Sequence, residues 1–200
     1  MDHLRYSGLS FEKQRAAFLD IVSADPLIAE TLSRVRVLGL PDWLVVSGAL
    51  YNSVWNHLTG KPSGYGIRDV DLFYFDESDL SYEAEDSVIA RAAPVFADLP
   101  LPVEIRNQAR VHLWYPSKFG RSCPCYSSSS DSVRFFASKT HAVGVRFDTD
   151  GRLDLVAPFG LDDIFSFRIT PNRVLDSRQT HEAKGARARE NWPEISVMPW

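Results

Sequence analysis

Residues 43–75 read WLVVSGALYNSVWNHLTGKPSGYGIRDVDLFYF, and this stretch predicts a strand, a tight turn, a helix, a loop and a second strand. Its apolar opening is short and rich in β-branched residues, which is typical of a buried strand. The run stops at Ser47-Gly48, and apolar residues then recur every four positions from Leu50 to Leu58, which indicates a helix. Gly60 is a helix stop signal.

The second strand of this stretch carries two carboxylates, Asp69 and Asp71. Side chains two apart on a strand share a face, so these two lie roughly 6.5 to 7 Å apart along the backbone. Paired carboxylates in an otherwise apolar strand are costly unless a cation compensates their charge. Hard Mg²⁺ prefers carboxylate, phosphate and water oxygens. The pair therefore predicts a Mg²⁺ site, with Mn²⁺ as the alternative metal.

Composition limits the class of protein and its partners. The chain has 200 residues, of which 44% are apolar, so it can bury a proper core. Its net charge of −4 gives no overall basic footprint and hence no strong signal for nucleic-acid binding. No secretory segment begins the chain, and no apolar run approaches the length of a membrane span. We therefore expect a cytoplasmic protein with no membrane partner.

The chain before the central stretch predicts two helices without chemistry of their own. One covers about residues 11–22, and the other begins at Asp25-Pro26 and ends at Gly39. Asp followed by Pro is a typical helix start. We expect residues 1–40 to form an N-terminal helical segment packed on the core, and residues 41–200 to form one compact domain.

Further strands and helices follow the central stretch. Val103–Ile105 predicts a short strand, and the two runs around Asp148-Thr-Asp-Gly predict a β-hairpin. NQARVHLWY favours a short helix, with a continuing strand as the alternative. The polar segment 177–191 predicts a helix. The fold class is therefore α/β (α+β), with a small mixed sheet flanked by helices. Its strands lie near residues 43, 69 and 103 and in the hairpin at 143–156.

Gly48 and the two Asp residues form a constellation that suits phosphate chemistry. A glycine at a helix start lets a phosphate approach backbone N–H groups at the positive end of the helix dipole. Two carboxylates nearby would hold one or two Mg²⁺ ions, which can stabilise both the attacking and the leaving oxygen of an in-line displacement. The alternative is a surface Asp pair in a half-exposed edge strand, with Gly48 as a plain helix start.

These residues resemble the signature of the DNA polymerase β-like nucleotidyltransferase superfamily. The segment Leu58–Pro62 also resembles the tRNA-nucleotidyltransferase branch of that superfamily. More specifically, about residues 40–193 are similar to a bacterial nucleotidyltransferase family known largely as a domain of unknown function. The segments that carry this similarity are GALYNSVWNHLTG, DVDLFYFD, EIRNQARVHLWY, VGVRF and APFGLDDIF.

The resemblance implies a polymerase β-like fold and roles for particular residues. Gly48 matches the turn that binds the triphosphate, and Asp69 and Asp71 match the pair that binds Mg²⁺. The third carboxylate of the superfamily, which completes the metal site and helps to deprotonate the acceptor hydroxyl, is best matched by Glu104. The resemblance thus predicts Asp69, Asp71 and Glu104 as catalytic residues and metal ligands.

Other residues are candidates for binding the nucleotide. The residue after Gly48 is Ala49, where the superfamily often has Gly or Ser. Its N–H remains available, so a hydroxyl contact to phosphate would have to come from Ser47. Arg68 and Arg110 lie close in sequence to the proposed carboxylates, and arginine forks suit phosphate oxygens. Each arginine could equally pair with a structural carboxylate.

Some alternatives stay open on the sequence alone. Asp98 and Asp154 also lie near predicted strands and compete with Glu104 as the third carboxylate. Cys123 and Cys125 could bind zinc together with His112 or His141, but a single C-x-C without a matching second pair is a weak signal and lacks finger spacing.

The function implied is Mg²⁺-dependent transfer of a nucleoside monophosphate from an NTP to an acceptor hydroxyl, with release of pyrophosphate. The alternative is a catalytically silent nucleotide-binding or regulatory module on the same fold. A purely structural interaction protein is a third option, and it requires the two Asp side chains to lie apart or exposed. The acceptor is open between RNA, a protein side chain, an antibiotic and a small metabolite.

Overall fold

A five-stranded mixed sheet with the strand order β3-β2-β1-β4-β5 carries the central stretch in its middle. The structure is a computed structural model and describes residues 2–200. Helices flank the sheet, so the predicted fold class is confirmed. The strands of this sheet are β1 (Leu44–Val46), β2 (Val70–Tyr74), β3 (Val103–Asn107), β4 (Gly144–Phe147) and β5 (Leu153–Val156).

The register of the sheet places the acidic strand between two neighbours. β1 runs antiparallel to β2, with Val46 opposite Asp71. β2 runs parallel to β3, with Asp71 opposite Glu104. β1 also pairs antiparallel with β4, and β4 with β5 as the predicted hairpin. Asp71 therefore lies between the end of β1 and Glu104.

The helices at 11–24, 48–59 and 178–191 lie close to the predicted ones. The side chain of Asp25 accepts a hydrogen bond from the N–H of Leu27 at 3.0 Å, so it caps the second helix as expected. A short parallel pair, Arg168–Ile169 (β6) with Ser196–Val197 (β7), was not predicted because two residues show no periodicity. The helices are α1 (Phe11–Ala24), α2 (Pro26–Val35), α3 (Gly48–Thr59), α4 (Tyr82–Phe96), α5 (Val111–Phe119), α6 (Ser129–Ser132), α7 (Asp162–Phe165) and α8 (Arg178–Asn191).

One large hydrophobic cluster joins the N-terminal helices, α3 and one face of the sheet. Phe18 of α1, Ile28 of α2 and Leu72 of β2 are each 0–2% exposed within it. Trp55 of α3 donates from its indole N–H to the carbonyl of Ile164 at 2.9 Å, so even the buried polar atom of this ring has a partner. The N-terminal helices therefore share the core of the sheet. The division of the chain into domains at residue 40 stays a prediction.

Two segments differ in detail from the prediction. α2 ends at Val35, and a 3₁₀ turn over Arg36–Leu38 continues to Gly39, whose φ of 61° ends the helical run. The segment NQARVHLWY ends β3 and continues through a 3₁₀ turn into α5, which confirms the predicted short helix. Within residues 2–200, no helix combines the length and the apolar character that crossing a membrane requires.

Candidate active site

The turn between β1 and α3 is made by Ser47 alone. Its φ of 59° and ψ of −119° are rare for a residue with a Cβ atom, and such strained backbone costs about 1–3 kcal/mol. The N–H of Ser47 donates to the carbonyl of Val143 at 2.8 Å, and its own carbonyl accepts from the N–H of Leu50 at 3.0 Å. These bonds fix the start of α3 from both sides. The N–H groups of Gly48 and Ala49 belong to the first helical turn, which has no acceptors within the helix.

Gly48 leaves open space over this helix start. A Cβ atom added there would meet nothing closer than the side-chain nitrogen of Asn52, at 4.0 Å. At Gly144, by contrast, a Cβ atom would lie 2.7 Å from Leu44 Cδ2, so packing requires that glycine. Packing does not require Gly48. Its missing side chain instead leaves room for a ligand to reach the N–H groups of the turn.

The carboxylates lie on the face of the sheet that points away from the large cluster. Val70 and Leu72 of β2 are fully buried on the core side, so Asp71 between them points to the opposite side. Glu104 is its register partner on β3, one strand spacing of about 4.8 Å away. Asp69 stands just before β2 and is half-buried. The structure therefore brings the predicted acidic pair and Glu104 to one face.

The environment of Asp71 disfavours its negative charge. Burial is the main cause that raises the pKa of Asp71, to about 6; the ammonium of Lys184 opposes this rise, whereas the negative charges of Asp69 and Glu104 add to it. These carboxylates are therefore close enough to repel one another. Additional positive charge at this point would stabilise them.

Lys184 on α8 supplies part of that positive charge. It lines the same cavity as Asp71 and Ser47. Burial lowers the pKa of Lys184, and the negative charges of Asp71 and Asp69 oppose that lowering. Among residues 2–200, no carboxylate lies within 4.0 Å of its nitrogen. The ammonium and the carboxylates thus face a shared space and do not form a closed ion pair.

A cavity of about 260 Å³ joins these groups to an aromatic surface. Its polar residues come from the turn after β1, the open face of the sheet and α8. Its aromatic residues come mostly from α5 and from the segment before β4. Among the residues that line it are Ser47, Asp71, Glu104, Arg106, Gln108, His141, Thr180 and Lys184, together with Trp114, Tyr115, Phe119, Tyr126, Phe135 and Phe136.

His141 is a neutral wall of this cavity. Its ring stacks on the ring of Tyr51, with centroids 4.9 Å apart and planes 17° apart. Burial, together with the positive charge of Lys184, lowers the pKa of His141 well below its ordinary value. Burial likewise raises the pKa of Tyr51. His141 therefore contributes an uncharged ring to the cavity, stacked on the buried Tyr51.

Two arginines predicted to bind nucleotide do not line the cavity. Arg68 is exposed in the segment that leads into β2. Arg110 is 8% exposed, and its guanidinium pairs with Glu85 of α4 at 2.5 Å and donates to the carbonyl of Leu80 at 3.2 Å. The structural carboxylate considered for Arg110 in the sequence is thus its observed partner. Arg110 holds α4 against the end of β3.

Among the three candidates for the third carboxylate, Glu104 lies nearest to the acidic pair. Asp98 pairs with Arg34 on the surface, and Asp154 lies on β5, at the opposite edge of the sheet. The Glu104 side chain is 52% exposed and lies 3.7 Å from the guanidinium of Arg106. In the part of the chain that the structure describes, no three acidic, His or Cys side chains converge to enclose a metal ion.

The donor set nevertheless fits Mg²⁺ that arrives with a phosphate. Mg²⁺ is usually bound by one or two carboxylates, with substrate phosphates and waters as the remaining ligands. Asp71 with Asp69 or Glu104 offers hard oxygens of this kind on one face. The cysteines of the chain, Cys123 and Cys125, are free thiols.

Strand, strained turn, helix and a carboxylate-bearing strand follow one another as in a polymerase β-like nucleotidyltransferase fold. The chain belongs to a nucleotidyltransferase family, whose model matches residues 33–197. It is also similar to a solved structure titled "The NMR structure of the protein reveals a CCA-adding enzyme head domain". The two share 25% identity and a TM-score of 0.75, over 92% of this chain and 96% of the other. A comparison with curated proteins found no match.

Lys184 was missed by sequence reasoning, although the helix that carries it was predicted. α8 is polar on all sides, so nothing in the local pattern separates Lys184 from Arg187 or Arg189. Only the tertiary fold, which brings Lys184 into the cavity beside Asp71, selects it. His141 was missed for the same reason, since its partner Tyr51 lies far away in the sequence.

Proposed function

We propose that this protein transfers a nucleoside monophosphate from an NTP to an acceptor hydroxyl and releases pyrophosphate. One observation carries the proposal: the Ser47 turn, the Asp71 carboxylate and the Lys184 ammonium line a single cavity. A triphosphate needs donors and positive charge, and a metal-bound triphosphate also needs carboxylates nearby. Membership of a nucleotidyltransferase family supports the same chemistry.

The turn and α8 would bind the phosphates. The N–H groups of Gly48 and Ala49 lie at the positive end of α3, where phosphate oxygens are favoured. The hydroxyl of Ser47 makes no capping bond to α3; it lies beside the phenol of Tyr51 and would donate to a β- or γ-phosphate oxygen. Lys184 would add a charged donor from the other side of the cavity. This arrangement would aim the α-phosphorus at the open face of the sheet.

The carboxylates would act at the α-phosphate, where the displacement takes place. Asp69 and Asp71 would hold Mg²⁺, which when bound neutralises phosphate charge during an in-line displacement. Glu104 is the proposed base, because its half-exposed carboxylate can accept the proton of an incoming hydroxyl. The acceptor oxygen then bonds to the α-phosphorus, and the bond from that phosphorus to the bridging oxygen of the leaving pyrophosphate breaks.

The test is incubation of the purified protein with each labelled NTP, Mg²⁺ and cell extract, with pyrophosphate release and label transfer as readouts. We expect one or more NTPs to label a component of the extract. Asp71→Asn should reduce transfer by at least about 100-fold, since metal ligation contributes several kcal/mol to the transition state. Asp150→Asn, in the exposed hairpin turn, is the matched control and should leave transfer unchanged. Equal transfer by both variants would refute the proposal.

The variant Gly48→Ala distinguishes an effect on phosphate binding at the Ser47 turn from an effect on the stability of the fold. The added methyl group would have 4.0 Å of clearance, so the melting temperature should stay at or above that of the wild type. It would occupy the space through which a phosphate reaches the turn, so NTP affinity measured by calorimetry should fall. Unchanged affinity would remove the turn from the proposed site.

A catalytically silent nucleotide-binding module is the second candidate. It is favoured by the ion pair of Glu104 with Arg106 at 3.7 Å and by the missing three-residue metal cluster within residues 2–200. Calorimetry and pyrophosphate release distinguish the two functions. NTP binding without pyrophosphate release, with every acceptor fraction of the extract, would support the silent module.

A further inference from the structure

One face of α5 presents a group of aromatic rings that the core does not use. Tyr115 and Phe119 have ring centroids 4.5 Å apart, and Trp114 lies 6.2 Å from Tyr115. All three line the cavity that also contains Ser47 and Asp71. We refer to Trp114, Tyr115 and Phe119 as the α5 aromatic surface.

This surface differs from the buried tryptophans of the protein in its exposure. Trp55 and Trp192 are 0% and 1% exposed, whereas Phe119 is 39% exposed and Trp114 and Tyr115 are only half-buried. Within the part of the chain that the structure describes, none of the three rings belongs to a buried hydrophobic cluster. Large rings left half-exposed and next to one another in a cavity are typical of a ligand site.

A cation and an amide accompany the rings. The Lys118 ammonium lies 5.4 Å from the centre of the Trp114 ring and 5.6 Å from that of Phe119. Gln108, 3% exposed, also lines the cavity. Its amide has both donors and an acceptor, as the recognition of a base edge requires. The surface therefore combines flat apolar faces with polar groups that suit a heteroaromatic ring.

We propose that the α5 aromatic surface is the subsite for the nucleobase of the NTP. The inference rests on the proposed function, because it takes the polar residues of the cavity as the triphosphate site. A base and its triphosphate are joined through one ribose, so both must bind within one connected cavity. The cavity does connect the two groups of residues, since Ser47, Asp71 and Lys184 line it together with the α5 aromatic surface.

If the nucleobase stacks on this surface, it should increase the affinity of the protein for the nucleotide. The wild-type protein should bind Mg²⁺-ATP more tightly than inorganic tripolyphosphate with the same Mg²⁺, because the latter has no base to stack. Trp114→Ala should raise the Kd for ATP by about 5- to 150-fold, the range typical of base–aromatic stacking, and leave the Kd for tripolyphosphate unchanged. Trp114→Phe keeps a stacking face and should stay within about 5-fold of the wild type.

A second variant of the surface, a control variant and a folding measurement distinguish lost stacking from lost folding. Phe119→Ala removes the most exposed ring of the surface and should also weaken ATP but not tripolyphosphate. Tyr82→Ala, on α4, is the matched control, because this tyrosine is 65% exposed and does not line the cavity. Circular dichroism melting of each variant identifies any that is unfolded.

The outcomes separate the subsite from the proposed function. If ATP and tripolyphosphate bind the wild type equally, or if Trp114→Ala and Phe119→Ala leave ATP affinity unchanged, the base subsite is refuted while the triphosphate site stands. If these variants reduce only transfer to the acceptor, the surface belongs to the acceptor and the proposal is likewise refuted. If neither ATP nor tripolyphosphate binds, both the subsite and the proposed function fail.

Discussion

The two faces of β2 and β3 have opposite physical character although they share a backbone. On the core face, Val70, Leu72 and Ile105 are between 0% and 3% exposed. On the open face, Asp71 and Glu104 stand side by side, and burial disfavours the charge of Asp71. Successive side chains of a strand point to opposite faces, so a single-residue step separates the two environments. Stability and ligand binding can therefore be altered separately along the same strand.

The largest effect should come from the core face. Leu72→Ala removes a fully buried side chain and should destabilise the protein by about 2–5 kcal/mol, through lost burial and a residual cavity. Urea unfolding measures this change. NTP affinity of the folded fraction should stay within a factor of two or so, because Leu72 points away from the cavity. A large loss of affinity with little loss of stability would contradict the separation of the two faces.

The next effect tests the open face. Lys184→Met removes the cation that faces Asp71 but keeps a side chain of similar length. NTP affinity should fall by about 10- to 150-fold, the amount expected for a hydrogen bond to a charged group. Calorimetry with Mg²⁺-NTP measures it. Lys13→Met, at an exposed position on α1, is the control, and an equal fall in both variants would exclude a specific role for Lys184.

The pH dependence of the free energy of unfolding tests whether His141 is neutral in the folded protein. His141 has a pKa lowered by burial, so the folded state keeps it neutral while the unfolded chain takes up a proton below about pH 6.5. Its contribution to stability is therefore complete above that pH and is lost as the pH falls, by about 1.4 kcal/mol at pH 5.5. His141→Phe keeps a ring against Tyr51 and should remove this part of the acid sensitivity.

Urea unfolding at pH 7.5 and 5.5 is the measurement for this profile. His57→Gln changes an exposed histidine on α3 and serves as the control. If His141→Phe loses as much stability as the wild type between the two pH values, His141 is not the buried group responsible.

The smallest effect concerns the turn that joins the two faces. Glycine adopts the backbone angles of Ser47 without strain, so Ser47→Gly should stabilise the fold by about 1 kcal/mol, after allowing for the greater freedom of glycine in the unfolded chain. Ser47→Ala keeps the Cβ atom and should give no such gain. Thermal unfolding of the two variants decides the point. Equal stability of both would show that the turn is not strained.

Local patterns were sufficient for the fold class and for placing the acidic pair on one strand, whereas the role of that pair as a metal site stays a prediction. The apolar strand, the glycine after it and the spacing of Asp69 and Asp71 depend on neighbours in the sequence, so the sheet and the acidic face could be predicted. Partners that lie far apart could not. Arg110 forms an ion pair with Glu85, which lies 25 residues away in the sequence. Lys184 reaches the cavity because of the way in which the polar helix α8 packs. Such pairings depend on tertiary packing, which periodicity does not record.

The position of Lys184 near the end of the chain has a consequence for biosynthesis. Translation delivers the turn at Ser47 and the acidic strand long before α8 leaves the ribosome. At ordinary rates of synthesis the interval is on the order of ten seconds. During that time the carboxylates lack the ammonium of Lys184, so the cavity beside Asp71 is complete only once α8 has been synthesised.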